Sequence, residues 1–167
     1  LIEARKVRRT VRDPDSNIEK ILDLGFVGEP VRIDPTILQE FAESNIIPVI
    51  APIGIGEKGE TYNINADTVA GAMAAALAAA KLMILTDVAG VLNKNGELIS
   101  SLTVREARKL AKDDVISGGM IPKIETCIHA LENDTEAAHI LDGRLAHVLP
   151  LETFTRYGAR TMIRRDE

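Results

Sequence analysis

SGGMIPKIETCIHALENDTEAAHILDG, residues 117–143, decides the fold class. It opens on a Gly-Gly turn, takes a helix-type apolar pattern from Met120 to about Glu132, and passes into a strand-like run from Ala137 to Leu141 that stops at Asp142-Gly143. A loop, a helix and a strand joined this closely make one repeat of an alternating α/β chain, whose strands lie mainly parallel under helices on both faces. The same stretch carries chemistry. A helix start offers N–H donors and the positive end of the macrodipole, which attract anions, and Lys123 adds a point charge in the first turn. Ser117 supplies a hydroxyl. The spacing is not that of a P-loop, so phosphate handling stands beside the plainer reading of a helix start with a solvated lysine.

The alternation continues outward. Asp34 and Pro35 suit the cap and first position of a helix whose apolar face is Ile37, Leu38, Phe41 and Ala42, with Asn45 ending it. Ile46 to Ala51 is a continuous apolar run, expected as a buried strand. Glycines at 54, 56 and 59 mark a loop, and a helix is expected from about Ile64 to Ala79. Leu82 to Thr86 is the next strand, and Asn93-Lys94-Asn95-Gly96 a turn. Thr103 and Glu106 form a capping box for a short helix to Lys112, with Leu102 stapling Ala107. His147 to Tyr157 is expected as a last helix and Thr161 to Ile163 as a last strand.

Composition narrows the classes. At 167 residues, 46% hydrophobic and with a net charge of −5, the chain has the size of one domain with a real core and no global signal for nucleic acid. The basic stretch from Arg5 to Arg12 is followed at once by Asp13, Asp15 and Glu19, as on a solvated hairpin face. One cysteine, Cys127, excludes an internal disulfide and fits a reducing, cytoplasmic setting; it reads as a packing residue. No segment has the length and apolarity of a membrane span. The three histidines, His129, His139 and His147, show no metal-ligand spacing, and no protein-held metal site is expected. The chain begins at Leu1 in what reads as mid-strand, which suggests a fragment or processed product.

Two further islands interrupt the apolar pattern. Asn63, Asn65 and Asp67 alternate with Ile64 and Ala66 where a loop enters a helix. Asp67 could simply cap that helix. Equally, an Asn side chain suits an amide or carboxylate ligand, and an aspartate can orient nearby lysines. Asp87-Val88-Ala89-Gly90-Val91-Leu92 leaves a strand at its carboxyl end, the edge at which open α/β sheets bind ligands. There Asp87 could form a turn or face a nucleotide.

Taken in order, Leu24 to Pro30, Pro48 to Gly54, Tyr62 to Asp67, Leu85 to Leu92, Ser117 to Lys123 and His139 to Arg144 resemble N-acetylglutamate kinase, of the amino acid kinase superfamily. The resemblance covers nearly all of the chain from Asp23 onward. It implies a three-layer αβα sandwich with a mainly parallel sheet, in which residues 1–167 form a single domain like the carboxyl-terminal, ATP-binding half of a longer cytoplasmic enzyme. The implied reaction, in arginine biosynthesis, is transfer of phosphate from ATP, with its Mg2+, to the γ-carboxylate of N-acetyl-L-glutamate. By position, Lys123 resembles the lysine that stabilises the phosphoryl group in flight, Asp67 the aspartate that orients catalytic lysines, and Asn63 the substrate-binding asparagine. Asp87, Val88, Ala89, Gly90, Val91 and Leu92, with Val115, Ile116 and Ser117, match the nucleotide-contacting segments. The chemistry agrees: with a reference pKa of about 4.3, the attacking carboxylate is already ionised, so cations and positioning are needed rather than a base.

The resemblance is incomplete. The family's amino-terminal lysine, glycine-rich loops and substrate arginine have no counterpart here, so the isolated chain is expected to show weak or no transfer. Arginine-inhibited members also carry residues like His139, Glu152 and Gly158, which mark a candidate effector site; here Arg160 replaces the second glycine of Gly-x-Gly-Thr. A full-length relative is expected to form a homo-oligomer. The competing readings are another kinase of the superfamily (glutamate 5-kinase, carbamate kinase or aspartokinase) and a non-catalytic arginine- or nucleotide-binding module.

Overall fold

The computed structural model describes residues 1–12, 19–155 and 160–166. Length points to one domain; the chain divides into two compact units, Leu1–Val69 and Ala70–Glu167. Each encloses its own apolar interior.

The first unit contains β1 (Ile2–Arg12), β2 (Glu19–Ile33), α1 (Thr36–Glu43), β3 (Ile53–Ile55) and β4 (Thr61–Asn63). These strands close into a small barrel in the order β1-β2-β4-β3, with β1 and β2 antiparallel from Ile2↔Ile33 outward. Alternation on β1 buries Ile2 and Ala4 and exposes Glu3 and Arg5. Gly54 permits the closure, because a Cβ there would sit 2.5 Å from that of Ala4. The basic stretch is one strand of this ribbon. Its charges pair across the strands, Arg5 with Glu29 at 2.6 Å and Lys6 with Asp23 at 2.7 Å, and Arg32 with Glu3. All are solvent-exposed to a degree that makes each worth little. The acidic residues Asp13 and Asp15 lie outside the described residues.

Two expectations in this unit need correction. Helix α1 starts at Thr36 with Pro35 at the cap position; Asp34 instead accepts from the Thr36 N–H at 3.1 Å and the Thr36 hydroxyl at 2.7 Å. The helix ends as read, on Asn45 at φ 54°, with the Ile46 N–H returning to the Phe41 carbonyl at 3.0 Å. Beyond it, the apolar run from Ile46 to Ala51 is not a buried strand. It has no regular structure, and Ile47 and Val49 are 91% and 97% exposed. Among the described residues of this unit no strand pairs with it, and an apolar run becomes a buried strand only between neighbours.

Helix α2 (Ala66–Ala76) is shorter at both ends than its alanine-rich pattern suggested. It leads into the second unit, with β5 (Lys81–Thr86), β6 (Ser101–Thr103), α3 (Val104–Lys112), α4 (Met120–Glu132), β7 (Ala137–Asp142), α5 (Val148–Phe154) and β8 (Arg160–Arg164). The sheet order is β5-β7-β8-β6. Pairs β5/β7 and β6/β8 are parallel, and β7/β8 antiparallel. One face of β7 and β8 presents Ala138, Ile140 and Ile163 to a buried cluster with Ala107 of α3 and Ile124, Cys127 and Leu131 of α4. The opposite face of β7 presents His139 to Glu152 of α5. Helix, sheet, helix is the layering of this unit. Gly71 in α2 lets that helix approach α4, since a Cβ there would come within 2.6 Å of Thr126 Cγ2.

The capping box is present: the Thr103 hydroxyl accepts from the Glu106 N–H at 3.2 Å, and the Glu106 carboxylate from the Thr103 N–H at 2.8 Å. Helix α5 ends at Phe154, earlier than expected, because Thr155 turns extended; residues 156–159 lie outside the described ones.

Candidate functional site

Asn63 and Asp67 belong to the first unit. Asn63 ends β4 and is exposed between buried Tyr62 and Ile64. Asp67 is half-buried in the first turn of α2. The capping of α2 falls to Asn65, whose Oδ1 accepts from the Thr68 N–H at 3.1 Å. Asp67 is therefore not the cap.

The remaining residues belong to the second unit. Asp87 leaves β5 at its carboxyl end, beside the carboxyl end of β7, where Thr86 pairs with Asp142 and the Gly143 N–H donates to the Thr86 carbonyl at 2.7 Å. Asp87, Val88 and Ala89 are exposed; Gly90 is buried with φ +139°. No other residue fits there: a Cβ would lie 2.7 Å from Thr161 Oγ1 in a backbone region that L residues avoid. Val91 is a core residue, 1% exposed. Its N–H donates to Thr161 Oγ1 at 2.8 Å, and its carbonyl accepts from the Ile99 N–H at 2.8 Å. The Thr161 hydroxyl in turn donates to the Ile99 carbonyl at 2.7 Å. Thr161 thus pins the loop to β8. Leu92 bridges to Leu98 around the expected turn, whose Asn93 side chain accepts from the amides of Asn95 and Glu97.

Val115 is half-buried, Ile116 is in the core and Ser117 is exposed. A cleft of about 490 Å³ has Asn93 to Asn95 on one wall and Leu110, Asp113 and Val115 on another, over Ile99 and Leu102. Of the residues expected to contact nucleotide, Val115 lines it; Asp87 to Leu92, Ile116 and Ser117 do not.

At the start of α4 the donors differ from expectation. The amides of Met120 and Ile121 turn back to the carbonyls of Ser117 and Gly118, each at 3.3 Å, and Pro122 has none. Among the described residues no acceptor stands opposite the exposed amides of Gly118 and Gly119. Gly118 has φ +56° and Gly119 φ −67°, ψ −10°, so the chain enters α4 through a left-handed glycine. Lys123, half-buried, stands one turn along.

Of the candidate effector residues, His139 and Glu152 come together: His139 Nδ1 lies 2.9 Å from Glu152 Oε1. Gly158 lies outside the described residues. Sequence reading missed three features. Asp142 grips Arg144 through Nε and Nη2 at 2.8 and 2.7 Å. That side-chain bond, with the Arg144 backbone N–H, lowers the Asp142 pKa to about 2, and Asp87 helps raise that of Arg144. Arg160 reaches Glu152 at 2.7 Å, and Thr161 reaches Val91. The closeness of Asp142 to Arg144 and the arginine at position 160 beside the candidate effector residues leave a trace in the sequence; the reach of Thr161 to Val91 leaves none.

A model of the Amino acid kinase family matches residues 3–142. Acetylglutamate kinase of Parvibaculum lavamentivorans is 62% identical over 99% of this chain and 54% of its own length. That of Rhodospirillum rubrum is 63% identical over 98% of this chain and 53% of its own. The chain therefore spans about half the length of the curated relatives it matches. Among solved structures, N-acetylglutamate synthase from Neisseria gonorrhoeae, complexed with coenzyme A and L-arginine, aligns over 99% of this chain and 36% of its own with a TM-score of 0.83 at 26% identity.

Proposed function

We propose, on the premise that this chain belongs to the amino acid kinase family, that it serves ATP-dependent phosphorylation of the γ-carboxylate of N-acetyl-L-glutamate, the route into arginine synthesis. The observation that carries the reading is identity above 60% to two acetylglutamate kinases across nearly the whole chain. The structure adds support of its own. The paired Gly118 and Gly119 amides and Lys123 make a cationic turn suited to a phosphate in transfer. The cleft beside Val115 offers apolar walls and a polar rim of the kind a purine takes.

Each residue then has a task. Lys123 balances charge as the anionic carboxylate nears the triphosphate; Asp67 orients cations; Asn63 holds the substrate's acetamido or carboxylate group. The loop from Asp87 to Leu92, with Val115 to Ser117, cradles the nucleotide, Val91 and Ile116 acting through packing. Mg2+ carried on the phosphates would neutralise further charge. No general base is required. Arginine as effector, acting near His139 and Glu152, is supported by the arginine complex of the structural neighbour; assembly into a homo-oligomer belongs to the same reading.

The test is an ADP-release assay on the protein expressed from its complete reading frame, with N-acetyl-L-glutamate, glutamate, carbamate and aspartate compared. Turnover with the acetylated acid alone is expected. Preference for any other acceptor overturns the assignment.

A further inference from the structure

The chain leaves the sheet of the second unit at two neighbouring points. Thr86 and Asp142, the last residues of β5 and β7, pair in register, and the Gly143 N–H reaches the Thr86 carbonyl at 2.7 Å. Glycine suits that crossing, since a Cβ on residue 143 would sit 3.2 Å from the Leu85 Cβ and 3.3 Å from the Thr86 carbonyl oxygen. Asp87, first in the loop expected to contact nucleotide, therefore emerges beside the loop that carries Arg144. It is exposed, and its Oδ1 accepts from the Thr86 hydroxyl at 3.3 Å.

Arg144 is clamped along one edge. Asp142, its side chain 8% exposed, accepts from the Arg144 backbone N–H at 3.0 Å, from Nε at 2.8 Å and from Nη2 at 2.7 Å. The arginine side chain stays 64% exposed. An ion pair between residues two apart joins no distant segments, and at this exposure it adds little to stability. Its effect is to remove rotamer freedom from a long cation at the edge where such sheets bind ligands, with Nη1 left to face outward. Asp142 is the main cause of the raised Arg144 pKa, and the charge of Asp87 adds to it.

An exposed carboxylate at a nucleotide site is repelled by the phosphates. The ribose hydroxyls are donors it can accept from, as acidic residues do in other open α/β sheets. A neighbouring guanidinium would orient that carboxylate and offset its charge. We propose that Arg144, fixed by Asp142, is a positioning residue that holds the Asp87 carboxylate as acceptor for the ribose hydroxyls of the nucleotide. The proposal rests on the kinase reading above for the presence of a nucleotide, and not for the identity of the acid phosphorylated.

The experiment is isothermal titration of ATP and of dideoxy-ATP, which lacks both ribose hydroxyls, into the protein expressed from its complete reading frame. Asp87→Ala, Arg144→Met, Arg144→Lys and the double variant of Asp87→Ala with Arg144→Met are titrated alongside. The parent should bind ATP more tightly than dideoxy-ATP by on the order of tenfold. Asp87→Ala and Arg144→Met should each weaken ATP by a similar factor and leave dideoxy-ATP unchanged, and the double variant should lose no more than Asp87→Ala alone. Arg144→Lys should fall between the parent and Arg144→Met, because an ammonium lacks the fork that serves two carboxylates. A merely structural role for Arg144 would weaken both nucleotides alike. Equal affinity of the parent for the two nucleotides, additive losses in the double variant, or an Arg144→Met loss shared by dideoxy-ATP overturns the inference and leaves the kinase reading in place. Ribose discrimination that depends on Arg144, in a protein that phosphorylates an acid other than N-acetyl-L-glutamate, keeps the inference and removes that reading. A parent that binds neither nucleotide overturns both.

Discussion

Thr161, fully buried, ties a loop expected to hold nucleotide to a strand seventy residues away. Thr161→Val keeps the shape but leaves the Val91 N–H without its acceptor and the Ile99 carbonyl without the hydroxyl donor, a loss of about 1–3 kcal/mol. Urea unfolding should show it as a lower midpoint at unchanged slope; an unchanged midpoint would show that the tether carries no energy. His139 gives a pH signature. Burial, the largest cause, with Arg160 and Lys81 behind it, holds its pKa below the ordinary value, against an opposing pull from Glu152. The unfolded chain therefore takes up this proton first, at about pH 6.5. Stability should be full above about pH 6.5 and fall as the pH drops below it. The carboxylates with lowered pKa, Asp142 at about 2 among them, lose their contribution only below about pH 4.5. Melting temperatures between these limits should flatten in His139→Gln, and an identical slope in the variant would remove His139 as the cause. Neither effect is legible from the sequence. Thr161 and His139 act through partners remote along the chain, whereas Lys123 and the Gly-Gly turn announce themselves locally.

The elements that were legible are those whose ends are written in adjacent residues. The capping box of α3 and the limits of α4, from Met120 to Glu132, follow from local chemistry. Thr103→Ala should cost about 1 kcal/mol in chemical unfolding, as loss of an N-cap does; no change would mean that packing of Leu102 and Ala107 alone fixes that end. Helix α2 closes differently. Ala78 takes φ 45° so that the amides of Ala78 and Ala79 return to Ala75 and Ala74 at 3.0 and 2.9 Å. A left-handed alanine is strained, so Ala78→Gly should raise stability by about 0.5–1 kcal/mol, read as a higher unfolding midpoint. A lower midpoint would place the gain in chain entropy of the unfolded state above the strain. The run from Ile46 to Ala51 was misread because apolarity reports what a segment needs to bury and not whether a neighbour is there to bury it.

At the scale of the molecule, alternation of strand and helix correctly announced an α/β chain and the helix-sheet-helix layering of Ala70–Glu167. The closed barrel of Leu1–Val69 was not visible, since barrel closure depends on pairings such as Val27↔Asn63 that no local pattern encodes. Family membership was legible through several short segments read together, more than through any single motif. The most direct test of the account is hydroxylamine trapping of the acyl phosphate formed from ATP and N-acetyl-L-glutamate by the protein from its complete reading frame, with Lys123→Ala alongside. The account predicts ATP-dependent hydroxamate with the parent and a loss of about 10²–10³-fold in the variant. Equal yields from parent and variant, or none from the parent while another acid is phosphorylated, would contradict it.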